Sequence, residues 1–272
     1  MDRGMSEHRD LAEGKLRLTR TGGIAAITFN SPDKLNAMSV SMWQALGDAC
    51  EKLALDDNVR VVTLEGAGER AFVAGADISE FGETRSDAAS AAAYGSAVER
   101  AEYAIEQIPV PTLALVRGYC IGGGLGIAMR CDLRLARDDA RFAITPAKLG
   151  LGYGYDGVAS LRRMLSHAVT ADLLFSGRQV RAQEALTKGI CDFVYPTKTF
   201  EADCAAYIDQ LARNAPLTIR ATKAILKVLL QPEADRDGTV PDAMAKACFD
   251  SADYREGQEA FAEKRLPAFK GL

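Results

Sequence analysis

The stretch VPTLALVRGYCIGGGLGIAMRCD, Val110 to Asp132, decides how the rest of the chain is read. Pro109 and Pro111 end whatever precedes it, because proline cannot continue a helix. The apolar run Thr112–Arg117 then has the length and composition of a buried strand. Gly122, Gly123 and Gly124 follow as a turn whose backbone can come within contact distance of a neighbour or a ligand. A short helix opens there, with its unpaired N–H groups and positive dipole end facing the turn. Such an end suits a developing oxyanion. The same glycines equally suit a tight turn beneath packed elements.

Outward from this segment, strand-like runs recur at Leu16–Thr19, Ile24–Phe29, Val59–Glu65, Asp132–Ala136, Arg141–Thr145 and Asp192–Tyr195. Helical stripes lie between some of them. One places Met42, Leu46, Ala49 and Leu53 together within Ser39–Leu55, and another runs from Ala88 to Ile108 through Tyr94, Val98, Ala101 and Ile105. The class is mixed α/β. After Pro196 the strand signals stop, and helices are expected over Thr199–Asn214, Leu217–Leu230, Pro241–Phe249 and from Ser251 to about Arg265. These readings divide the chain into a flexible leader at 1–14, a core at 15–200 and a helical region at 201–272. No fixed repeat period and no low-complexity segment is visible.

Composition narrows the function. A chain of 272 residues, 48% hydrophobic, can bury an ordinary core. Its net charge of -4 argues against a broad nucleic-acid-binding face, so any anionic ligand must meet local positive groups. The six cysteines contain no CxxC pair, which points to a reducing, cytoplasmic setting without a zinc site. Met1–Gly14 mixes charges without an apolar core and does not read as a secretory signal. Val110–Met129, interrupted by Arg117 and the glycines, falls short of the roughly 20 apolar residues of a membrane span.

A second segment, RAFVAGADIS at residues 70–79, follows the strand at Val59–Glu65 and contains small residues where a strand meets a helix. There the Ala76 amide is another candidate donor, or part of a plain strand-to-helix turn. Taken in order, SPDKLNAMS, AFVAGADI, PTLALVRGYCIGGGLGIAMRCDLRLA, ARFAI and the closing EGQEAFAEKRLPAF resemble the crotonase, or enoyl-CoA hydratase/isomerase, superfamily over about Leu16–Phe269. The resemblance implies a crotonase-like spiral of ββα units, a C-terminal helical region used in trimer packing, and an acyl-CoA thioester substrate. Coenzyme A would be part of that substrate, with no separate cofactor. By the same resemblance the amides of Ala76 and Gly123 would hold the thioester oxygen of an enolate. Lys34 and Leu35 would flank CoA, with Ala74, Asp77, Ile78 and Gly122 along the substrate. Phe261 and Lys264, spaced for one helix face, would reach the adenine and phosphates of a neighbouring subunit in a homo-trimer or hexamer. Each lysine equally suits a solvated surface.

The chain departs from the hydratases at their two glutamates, where it carries Gly126 and Pro146. Neither side chain can move a proton, which puts two-glutamate hydration in doubt. Tyr153, Tyr155 and Asp156 remain nearby in KLGLGYGYDGVASL, a loop similar to that of bacterial methylmalonyl-CoA decarboxylases, which have a tyrosine at the place of Tyr153. Tyr153 and Asp156 are thus candidate proton-transfer groups, or structural residues with Asp156 capping a helix from Val158. Glu80, Glu99 and Glu102, after the first amide donor, are the further carboxylates to consider. The expected function is enolate-stabilising acyl-CoA chemistry nearest to enoyl-CoA hydratase, with decarboxylation or isomerisation as alternatives.

Three readings stand outside that chemistry. A non-catalytic acyl-CoA-binding protein would keep the pocket without the glutamates. Gly118-Tyr-Cys120-Ile-Gly122 imitates a nucleophile elbow, but the chain's histidines, His8 and His167, do not follow the usual order. Gly152–Gly157 fits GxGxxG, the dinucleotide fingerprint, without a strand directly before it.

Overall fold

The computed structural model describes residues 7–80 and 88–272. Eleven strands are found among them: β1 (Glu7–Leu11), β2 (Leu16–Thr21), β3 (Ile24–Phe29), β4 (Val61–Gly66), β5 (Ala71–Ala74), β6 (Thr112–Val116), β7 (Tyr119–Ile121), β8 (Leu133–Arg137), β9 (Arg141–Ala143), β10 (Val180–Arg181) and β11 (Phe193–Tyr195). The helices that position the site are α1 (Val40–Ala54), α2 (Ala88–Gln107), α3 (Gly123–Arg130) and α4 (Tyr155–Met164). They are followed by α5 (His167–Ser176), α6 (Ala182–Thr187), α7 (Phe200–Arg213), α8 (Pro216–Leu229), α9 (Thr239–Ala247) and α10 (Ala252–Glu263).

The strands form a seven-stranded sheet in the order β1-β2-β3-β4-β6-β8-β11 and a four-stranded sheet in the order β10-β9-β7-β5. From β4 onward the chain alternates between them. β4 joins the large sheet, β5 the small one and α2 returns; β6, β7 and α3 repeat the path, then β8 and β9. Successive strands within each sheet pair in parallel, β4 with β6 and β6 with β8 in one, β5 with β7 and β7 with β9 in the other. This is the ββα spiral that the sequence resemblance implied.

Strand β6 shows why the run around Leu113 is apolar throughout. Ala114 and Val116 face the main core between the sheets, with Phe29, Trp43, Leu64, Phe72 and Phe142. Leu113 and Leu115, pointing the other way by the two-residue period, pack with Val61, Leu135 and the Phe200, Cys204 and Ile208 side chains of α7. A parallel strand covered on both faces has no polar side. The boundary expected near residue 200 is therefore not a break in packing, because α7 is the outer cover of the large sheet. Further on, Lys223 of α8 is buried and donates to the Val110 carbonyl and to Asp132 Oδ2, which ties the C-terminal helices to the start of β6.

The leader expected over 1–14 needs correction. Residues 1–6 lie outside the described residues, but Glu7–Leu11 is an edge strand in antiparallel register with β2. Its alternation of charged residues, EHRD, hid it, since an edge strand exposed on both faces carries no apolar period. Strands β5 and β7 were also missed. Each is only three or four residues long, and Gly118, at φ 55°, breaks β6 from β7. Among the described residues no helix is long and apolar enough to cross a membrane.

Candidate active site

The site grows from the ends of β5 and β7. Ala74 pairs with Ile121 in parallel as the last pair of the ladder, and the two chains run on from there into Gly75–Ala76 and Gly122–Gly123. The close approach is direct: a Cβ on Gly122 would lie 3.7 Å from the Gly75 Cα. Gly122 itself adopts φ 57°, ψ -118°, which lets the chain leave β7 and enter α3 in one step. Gly124 is demanded by contact, since a Cβ there would lie 2.2 Å from the Val73 carbonyl oxygen.

The main-chain bonds around Ala76 determine which way its amide points. Met38 N–H donates to Gly75 O and Asp77 N–H to Met38 O, both at 2.9 Å. In such a parallel bridge the N–H of Ala76 faces away from Met38. It donates no hydrogen bond among the described residues, and neither does the N–H of Gly123 at the first position of α3. Ala76 and Gly123, both half-buried, thus each have an amide without a partner among the described residues, that of Gly123 at a positive helix end. That arrangement can receive an oxygen carrying negative charge.

The front loop holds one rim. Leu35 and Asn36 take positive φ, 53° and 57°, and the Leu35 carbonyl accepts from Ala74 N–H at 3.0 Å. Asn36 is fully buried: its Oδ1 accepts from Ser31 N–H, and its Nδ2 donates to the Ala67 and Ala71 carbonyls. This staple escaped the sequence reading, although an asparagine between apolar residues is a common occupant of left-handed backbone. Lys34 Nζ, half exposed, bonds Asp77 Oδ2 at 2.7 Å and Ser79 Oγ at 3.1 Å. Burial alone would raise the Asp77 carboxyl, but hydrogen bonds from Lys34 and Ser79 hold it below the usual carboxylate range. Ile78 lies in the 3-10 turn Ile78–Glu80 that follows.

Behind the amides, Trp43 Cζ2 comes within 3.0 Å of where a Gly123 Cβ would stand, and its indole N–H donates to Tyr94 Oη at 3.0 Å. Of the three carboxylates after Ala76, Glu80 accepts from Val40 N–H at the start of α1, and Glu99 is exposed. Glu102 is buried, and its Oε2 accepts from Arg130 Nε at 3.0 Å and Nη2 at 2.8 Å. Its Oε1 accepts no hydrogen bond among the described residues and would lie 2.6 Å from a Cβ on Gly126. Burial pushes this carboxyl above the usual range, against the pull of Arg130.

The α4 loop separates its two candidates. Tyr153 packs against the main core, its ring 2.7 Å from where a Gly157 Cβ would be. Burial first and the Glu102 charge second push its phenol up. Asp156 is exposed in the first turn of α4, which opens at Tyr155 rather than Val158, and it makes no hydrogen bond or ion pair among the described residues. Pro146 opens a 3-10 turn, Pro146–Leu149. That turn, not a strand, precedes Gly152–Gly157, which removes the dinucleotide fingerprint. Cys120 lies within β7, fully buried, with its thiol pushed well up by desolvation, so it is no nucleophile.

Phe261 is exposed on α10 beside an apolar groove of about 710 Å³ between α8, α9 and α10. Lys264 ends α10 in left-handed backbone, so the two do not continue along one helical face. Neither makes a hydrogen bond or ion pair to the loops at 34–38 or 74–77 among the described residues.

Fold and site together define a ββα-spiral protein with two free amides at the junction of its small sheet and a helix. The enoyl-CoA hydratase/isomerase family profile matches residues 19–272, and the chain belongs to that family, the crotonase superfamily. It is 30% identical to a short-chain-enoyl-CoA hydratase of Clostridium acetobutylicum over 254 residues, 93% of this chain and 97% of the relative. Identity to the (E)-benzylidenesuccinyl-CoA hydratase of Thauera aromatica is 31%, covering 91% and 96%. The crystal structure of an enoyl-CoA hydratase/carnitine racemase from Magnetospirillum magneticum superimposes with a TM-score of 0.88 at 35% identity, covering 95% and 96% of the two chains.

Proposed function

We propose that this chain is an enzyme that binds acyl-CoA thioesters and stabilises their enolate with the amides of Ala76 and Gly123. The observation that carries the reading is the partnerless amide pair at the end of β5 and the start of α3. An enolate oxygen gains charge only as the reaction proceeds, so donors fixed in advance lower the barrier without tightening the ground state equally. Removing one such donor typically costs on the order of 10²- to 10³-fold. In this reading Lys34, Leu35, Ala74, Asp77, Ile78 and Gly122 belong to the substrate site, as the resemblance implies, with Lys34 a cation for a CoA phosphate. CoA belongs to the substrate, and no further cofactor is required.

The acyl substrate is of the enoyl or hydroxyacyl type, by likeness to the hydratases. Gly126 and Pro146 favour a second reading in the same site, isomerisation or decarboxylation, because neither supplies a proton-transfer group. We further propose a cytoplasmic trimer or hexamer assembled through α8–α10, where Leu226, Leu229, Leu230, Phe249 and Phe261 stand exposed. Calorimetry with acetyl-CoA, CoA and acetate tests the thioester site, with acetyl-CoA binding and acetate not. Equal or absent binding of all three refutes it. Incubation with enoyl-, 3-hydroxyacyl- and malonyl-type CoA thioesters, read by mass spectrometry, then separates the reactions. Binding without turnover of any would make the protein a carrier.

A further inference from the structure

Glycine at 126 removes a side chain from α3, yet the space it leaves is filled. The carboxylate of Glu102, reaching across from α2, puts Oε1 2.6 Å from where a Cβ on Gly126 would stand. Any side chain at 126 would have to displace it. Gly123 and Gly126 are three residues apart on one helix, so they share a face, separated by about 4.5 Å along the axis. The carboxylate oxygen therefore stands about one helical turn from an amide that would hold a thioester oxygen. In a thioester the α-carbon is only about 2.4 Å from that oxygen, given ordinary bond lengths.

Resting on the thioester site proposed above, we propose that Glu102 is the catalytic carboxylate that moves the proton at the α-carbon of the acyl group. Its two oxygens are divided between tasks. Oε2 is held by both Nε and Nη2 of Arg130, and Arg130 is itself tied to Glu106 through Nη1, which fixes the rotamer. Oε1 accepts no hydrogen bond among the described residues and is available to a substrate. In the forward step Oε1 takes the α-proton and the C–H electron pair becomes the enolate. Its negative oxygen rests on the amides of Ala76 and Gly123, and the reverse step returns the proton to carbon. Nothing else is consumed. Burial, with the neighbouring charges of Glu106 and Glu99, opposes the pull of Arg130 and raises the carboxyl above the usual range, which makes it a stronger base. Tyr153 is the other titratable neighbour, and its phenol stays protonated.

Exchange of the α-protons of butyryl-CoA in D₂O, followed by mass spectrometry, reads this step whatever the overall reaction. The wild-type protein should exchange them. Glu102→Gln, which keeps an acceptor for Arg130, should slow exchange by about 10²- to 10⁴-fold while calorimetric affinity for butyryl-CoA changes by less than about threefold. The rising limb of the wild-type pH–exchange profile should vanish with it. Glu13→Gln, which removes an exposed carboxylate in the turn between β1 and β2, should exchange at the wild-type rate. If Glu102→Gln does not fold, Gly126→Ala serves instead, since its methyl pushes Oε1 aside without removing a charge, and exchange should again fall. Exchange by Glu102→Gln at the wild-type rate overturns the proposal, as does wild-type binding without exchange. Failure of the wild type to bind butyryl-CoA would instead remove the thioester reading on which the proposal rests.

Discussion

Gly124→Ala tests whether the packing of α3 against β5 sets the position of the Gly123 amide. The added methyl would meet Val73 O at 2.2 Å, Val73 Cβ at 2.9 Å and the Val73 carbonyl carbon at 3.0 Å. An unstrained carbon–oxygen contact needs about 3.3 Å, so one backbone must retreat by roughly 1 Å. Two of the three atoms are main chain and the third is a Cβ in a fully buried residue, so no flexible side-chain end can yield. Overpacking of this kind costs about 1–3 kcal/mol, and the upper half of that range is expected here. At about 2–4 °C per kcal/mol the melting temperature should fall by roughly 4–12 °C. A displacement of the amide by about 1 Å should slow enolate formation by about 10²-fold, because the donor no longer meets the developing charge. Thermal melts and butyryl-CoA exchange in D₂O measure both effects. Gly152→Ala, where no atom lies within 4 Å of the new methyl, is the control and should match the wild type. A Gly124→Ala protein that melts and exchanges like the wild type would show that this contact does not position the amide.

Tyr153→Phe removes a buried hydroxyl beside Glu102 and should lower turnover by about 10-fold with little change in thioester affinity, whereas Asp156→Asn, exposed and unpartnered, should change turnover by less than about threefold. Steady-state kinetics on the best substrate of the CoA panel checks both, and the reverse order would reassign the loop. Asp77→Asn should flatten the acid limb of a melting-temperature profile. A carboxyl held below its usual range stabilises the fold above about pH 4 and loses that contribution as pH falls through its folded value, and asparagine has nothing to lose. An unchanged acid limb would mean that the Lys34–Asp77 pair contributes nothing to the fold.

Much of the core was legible because the strands carry strong signals. Ile24–Phe29 matched to the residue, and Val59–Glu65 and Thr112–Arg117 shifted by at most two, the ordinary uncertainty of element ends. The small sheet was not legible. AFVA and YCI are too short to show a period, and only the pairing of Ala74 with Ile121 reveals that the segments leading to Ala76 and Gly123 leave neighbouring strands. Glu102 was visible only as one carboxylate among three. Its 24-residue separation from Gly126 gives no hint of contact until α2 is laid beside α3, and the glycine that admits it reads in sequence as a loss. Asp156 differs, because the start of α4 at Tyr155, which places it in an exposed first turn, was not legible in the glycine-rich loop.

The donors proposed at Ala76 and Gly123 are peptide N–H groups, and that has a consequence for how this protein can change over generations. A codon can alter a side chain, but only proline deletes a main-chain N–H. The proposed capacity to polarise a thioester is therefore lost only through proline or through substitutions that move the backbone, as at Gly124. The group proposed to handle the proton is an ordinary side chain and can be lost, moved or supplied from another helix. A lineage built this way can exchange one reaction for another while the hold on its class of substrate persists.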